Sequence, residues 1–144
     1  MRFMLIVKAD KGSEAGAMPS AELVAAMDRF NKEMVDAGVL LAGEGLHPSS
    51  HGARVTFHGS GRRTVARGPF PETRDLVAGF WLIQAKSLEE AVEWATRAPN
   101  PMPDEETAQI EVRQVFDTAD FPAELQAAAA NEPAMRAQLA QRKG

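Results

Sequence analysis

The stretch ARGPFPETRDLVAGFW at residues 66–81 puts a carboxylate, Glu72, directly after Pro71, where a turn runs into a strand. A carboxylate fixed at such a junction can act as a general base or accept hydrogen bonds from a bound polar molecule. Its structural alternative is a salt bridge to Arg74 or Arg113. His47, in GLHPS, is a second candidate base, because a loop imidazole exchanges protons near neutral pH. Glu111 and Arg113 alternate with Ile110 and Val112. The Arg113 guanidinium can hold an anionic ligand through paired hydrogen bonds, or the two charges can form an ion pair between subunits. Arg54 poses the same choice, and Phe70 closes the turn as an apolar anchor beside these groups. His51 follows His47 by four positions, but Pro48 and Gly52 argue against the helix that would turn both rings toward one metal ion. His58 lies in a strand. Gly59-Ser60-Gly61 lacks the Lys-Ser/Thr and the helix of a phosphate-binding loop, and no Ser-His-Asp set can be assembled. No metal and no cofactor are expected.

These groups need elements to position them. Phe3 to Val7 is an unbroken apolar run of strand length. A Gly- and Ala-rich loop follows, then Ser20 as an N-cap and Leu23, Met27, Phe30 and Met34 as one stripe of a helix, with Gly38 placed to end it. VLLAGEGL reads as a second strand. Val55 and Phe57 alternate with Arg54, Thr56 and His58 before the turn at Gly59-Ser60-Gly61, which predicts a hairpin. AGFWLIQA is a strand with apolar residues on both faces. Ser87 and Glu90 have capping-box spacing for a helix that stops before Pro99, and QIEVRQV is a period-2 strand. The Ala-rich tail is predicted helical in two pieces, broken near Asn131 by Pro133.

Without the hairpin the order is βαββαβ, the ferredoxin-like α+β pattern. Its helices cover one face of the sheet. The other face would expose Met4, Ile6, Trp81 or their neighbours, a large patch for a monomer, and a second copy of the sheet would cover it. The tail could supply part of that cover. The expected protein is a homodimer packed sheet to sheet.

Bulk composition narrows the partners. The chain has 144 residues, 44% hydrophobic and 25% charged, net charge −4 and a pI near 5.4. That is one ordinary domain with no electrostatic footprint for nucleic acid or an anionic membrane. Arg62 and Arg63 form a local basic cluster in a turn. The chain has no cysteine, which suits a reducing cytoplasm. The apolar run in MRFMLIVKAD is too short for a signal peptide or a membrane span. A cytoplasmic location is expected.

GEGLHPSS, ARGPFPETRDLVAGFW, SLEEAVEWATRAP and IEVRQV, in this order and spacing, resemble the YCII-related family, specifically its DGPF group. The resemblance spans residues 1–116, leaving 117–144 as a helical extension. It implies a ferredoxin-like fold paired into a dimeric α+β barrel. The Asp that names the group is Arg67 here, and the ETKE segment reads Glu72, Thr73, Arg74, Asp75. Short YCII-type relatives suggest a His–Asp enzyme with the His in the first helix. The first helix of this chain has no His, although Asp36 falls near the other partner's position. The resemblance therefore implies a fold and a location for the site. Three functions stay open: a homodimer binding a small polar or anionic molecule near the GPF turn, an enzyme of isomerase, lyase or other proton-transfer type in the same pocket, and a regulatory accessory acting through its C-terminal helices.

Overall fold

The computed structural model describes residues 1–142. Its elements are β1 (Arg2–Lys8), α1 (Lys11–Glu14), α2 (Ala21–Asp36), β2 (Leu40–Gly45), β3 (Ala53–His58), β4 (Arg62–Arg67), β5 (Val77–Gln84), α3 (Leu88–Arg97), β6 (Ile110–Gln114), α4 (Ala123–Ala128) and α5 (Glu132–Arg142). They fall into two compact units that divide between Gln114 and Val115.

In the first unit, β2, β5, β1 and β6 form a four-stranded sheet in that order. Every pairing is antiparallel, so each βαβ crossover skips one strand. This is the ferredoxin-like arrangement that the βαββαβ order predicts. β3 and β4 form a separate two-stranded ribbon inserted between β2 and β5.

The strands read apolar on both faces, yet their burial alternates. Phe3, Leu5 and Val7 on β1 pair with Ile83, Trp81 and Gly79 on β5 and face α2 and α3. Phe30 and Met34 from α2 and Ala91 and Trp94 from α3 complete that core. Trp81 thus points into the helix layer, not to the far face where the pattern allowed it. Its register partner on β2 is Gly43, where an added Cβ would lie 2.9 Å from the indole Cδ1. The indole N–H donates to Asn31 Oδ1 at 2.7 Å, and the ring meets Phe30 edge-on with centroids 5.3 Å apart. A buried indole needs both the small neighbour and the acceptor. The far face carries Met4, Ile6, Phe80 and Leu82, half-buried and outside the core cluster. The outward residues of β6, Glu111 and Arg113, lie opposite Ile6 and Met4 on that same face.

Helix ends follow their local chemistry. Ser20 Oγ accepts the Leu23 amide at 3.1 Å, and Gly38 takes φ +74° just past the end of α2, a conformation glycine adopts without penalty. Ser87 caps α3 through the Glu90 amide. The Glu90 carboxylate accepts from the Lys86 N–H, one residue before the position a full capping box would use. The stretch read as a Gly- and Ala-rich loop contains α1, because Asp10 and Ser13 form a reciprocal capping box that starts a turn of helix.

In the second unit, α4 and α5 are separated at 129–131, and Pro133 lies in the first turn of α5, where its missing N–H costs nothing. Thr118 donates to Glu132 at 2.9 Å, and Phe116 stacks on Phe121. Among the described residues, no helix is long and apolar enough to cross a membrane.

Candidate functional site

The site grows from the end of β2. Leu46 N–H still bonds the Ala78 carbonyl, extending the strand pairing, and Pro48 then starts a single 3-10 turn at Ser49–His51. Ser49 is the node of the region. Its N–H donates to Glu14 Oε1 at 3.0 Å, and its hydroxyl donates to Glu14 Oε2. Its Oγ in turn accepts the Phe70 N–H at 2.9 Å. One serine thereby ties the loop to α1 on one side and to the GPF turn on the other.

The turn is seated just as closely. Gly68 donates its N–H to the Gly52 carbonyl, and the Gly68–Pro69 peptide is cis. A Cβ on Gly68 would fall 1.8 Å from the Ser49 carbonyl oxygen, so only glycine lets the two backbones approach this far.

Beyond the turn, the side chains expected at a site separate into three groups. Arg54, Phe70 and Glu72 come together. The Arg54 guanidinium lies 3.9 Å above the Phe70 ring and 3.2 Å from Glu72 Oε2. Glu72 therefore pairs with Arg54 and with neither Arg74 nor Arg113, because the hairpin brings β3 back over the turn. Its own backbone amide, then Arg54, holds the Glu72 carboxyl below the usual carboxylate range. His47 stands in the second group. Its ring stacks on His51 at 4.6 Å, the planes parallel to within 1°, and both line a cleft of about 310 Å³ with Ser49 and Glu14. Glu111 and Arg113 form the third, paired with each other at 3.3 Å on the open face of β6. β6 is the sheet edge opposite β2, so one chain alone does not bring Arg113 to the turn.

His58 is held apart, bonded to Thr64 on the hairpin. Asp36 is exposed at the end of α2 and pairs with Lys32. Trp94 packs in the core under the Arg97 guanidinium. Among the described residues, no group of three or more His, Cys, Asp or Glu side chains is placed to hold a metal ion.

Two residues of the site escaped the sequence. Ser49 lies within GEGLHPSS, but a loop serine carries no local sign of its role. Glu14 is 35 positions away in a segment read as loop, and only the fold brings the two together.

The chain belongs to the YCII-related domain family, which matches residues 1–119. An uncharacterised protein of Rhizobium meliloti (strain 1021) is 29% identical over 96 residues, covering 67% of this chain and 77% of that protein. A similar solved structure is a 5-chloro-2-hydroxyhydroquinone dehydrochlorinase from Burkholderia phenoliruptrix AC1100 in complex with 2,5-dihydroxybenzoquinone. It is 14% identical, with a TM-score of 0.44, and the match covers 81% of this chain and 94% of that one. Identity at that level does not transfer an activity.

Proposed function

We propose that the chain is a homodimeric binding module that holds a small polar or anionic molecule in the cleft beside the GPF turn. The observation that carries this reading is the triple engagement of Ser49. It fixes loop, α1 and turn as one wall before any ligand arrives, and preorganisation of this kind lowers the cost of binding. The rings of His47 and His51 can present N–H groups to an anion or a carbonyl, and a cleft of about 310 Å³ suits a small ligand. Glu72, kept in its ionised form, suits an acceptor better than a base poised near neutrality.

Pairing of two copies through the open sheet face covers Met4, Ile6, Phe80 and Leu82. Each such side chain contributes roughly 1.5–3 kcal/mol when fully buried. The Glu111–Arg113 pair would lie in that interface already matched, as a buried charge requires.

The test is a thermal-shift screen against inorganic phosphate, acetate, small dicarboxylates, amino acids and lactones, run beside His47→Ala and His51→Ala, both in the cleft lining. One class should raise the wild-type melting temperature by mass action. The shift should shrink in at least one variant. No shift with any class, or equal shifts in all three proteins, overturns the reading. An enzyme in the same cleft is the second reading, and it draws on the Ser49 hydroxyl donating to a carboxylate, as an activated nucleophile or proton donor does. Turnover of a bound compound that is lost in Ser49→Ala, with the fold kept, would decide for it.

A further inference from the structure

The β3–β4 ribbon is exposed along its whole length: all twelve strand residues are open to solvent. A lone two-stranded ribbon is at best marginally stable in water and needs something to pack on. Its register sorts the side chains by face. Val55 pairs with Val65 and Phe57 with Arg63, while Arg54, His58 and Arg62 stand on the other side. Phe57 and Val65 are 64% and 63% exposed, and the Arg63 guanidinium lies over the Phe57 ring. Charge is segregated as well. Residues 45–71 hold four arginines and all three histidines with no Asp or Glu, in a chain that carries 20 acidic against 16 basic residues. Among the described residues, Arg62, Arg63 and Arg67 have no carboxylate partner.

The complementary surface lies on the same unit, across the sheet. A cleft of about 610 Å³ runs between α3 and β6, floored by Leu88, Val92, Ala95, Ile110 and Val112. Leu88 and Val92 are themselves exposed. The bordering segments are acidic: Glu89 and Glu93 on α3, and Asp104, Glu105 and Glu106 in the following loop, all exposed.

We propose that the hairpin of one copy docks its Val55–Phe57–Val65 face into the α3–β6 cleft of a second copy, with Arg63 and Arg67 of that face against the acidic border. The proposal rests on the sheet-to-sheet pairing above and adds an arm exchange to it. A two-fold axis lying between the stacked sheets, parallel to the strands, sets β2 of one copy over β6 of the other. The hairpin leaves from the β2 edge and passes round the partner's edge strand β6 to the cleft on its helix side, so one axis engages both arms. Such an interface is self-complementary and closes at two subunits.

The chain has no cysteine, so the contact can be probed by cross-linking. A full-length Phe57→Cys chain is mixed with a Val92→Cys chain and oxidised, with sedimentation velocity run on the wild type in parallel. The expected result is a wild-type dimer and a disulfide-linked species of twice the chain mass. It should form only in the mixture and should disappear on adding Arg63→Glu and Arg67→Glu, the two arginines of the docking face, to the hairpin chain. Reversing Glu105 and Glu106 to Arg in the other chain should then restore it. A dimer that sediments normally but gives no such cross-link overturns the arm exchange and leaves sheet pairing standing. A monomer at all concentrations overturns both. Binding of a DNA or RNA oligonucleotide that dissociates the dimer would reassign the hairpin to nucleic acid and overturn the proposal.

Discussion

At the scale of single residues, the site depends on one close approach and one bifunctional side chain. Gly68→Ala would drive a methyl into the Ser49 carbonyl, and backbone cannot yield as a flexible side-chain tip can. We expect urea denaturation to show a loss of about 1–3 kcal/mol, the range of overpacking, with the His47 loop displaced in amide spectra. Glu72 gives a second prediction. Its carboxyl is held low, first by its own backbone amide and then by Arg54. A depressed carboxylate contributes stability above its unfolded pKa and loses it as pH falls through the folded value. The Arg54–Glu72 tie should therefore outlast ordinary exposed glutamates on acidification. Carbon-detected titration should find the Glu72 midpoint lower than that of an unstructured Glu. Arg54→Ala should recover only part of the difference, because the larger cause stays. A midpoint at or above the ordinary range would contradict this geometry.

At the scale of elements, α2 and the sheet are coupled through a small number of large side chains. Met34 is fully buried between α2 and the strands, so Met34→Ala should cost about 2–5 kcal/mol in urea melts. A cost under ~1 kcal/mol would mean that the helix layer is not packed as described. The hairpin behaves differently. Because every residue of β3 and β4 is exposed, substitutions on its outer face should leave the stability of the monomeric unit almost unchanged and act on association instead.

At the scale of the whole molecule, the sheet has one face filled by α2 and α3 and another with an apolar centre and charged β6 edge. Leu82→Glu puts an unpaired carboxylate in the middle of that open face. If two copies meet there, it should dissociate the dimer in sedimentation runs at micromolar concentration while the circular dichroism spectrum stays native, since a lone buried charge is not tolerated. A dimer unchanged by Leu82→Glu would move the interface elsewhere.

Periodicity and capping by themselves determined the βαββαβ order with its inserted hairpin, though not the short α1, together with the α2 stripe from Leu23 to Met34, the Ile110–Val112 face of β6 and the break before Pro133. Each of these rests on interactions within a few residues of chain, which a local pattern records. Only the tertiary structure decided which face of β5 holds Trp81, because both faces of that strand are apolar and the choice turns on Gly43 and Asn31 from other elements. The same is true of the site. Glu72 was legible as a carboxylate at a junction, but its Arg54 partner depends on how the hairpin folds back over the turn. Ser49 and Glu14 meet across 35 residues through a contact no spacing encodes. Local patterns fix what each segment is, and the long-range register of sheet, loop and turn fixes what each side chain touches.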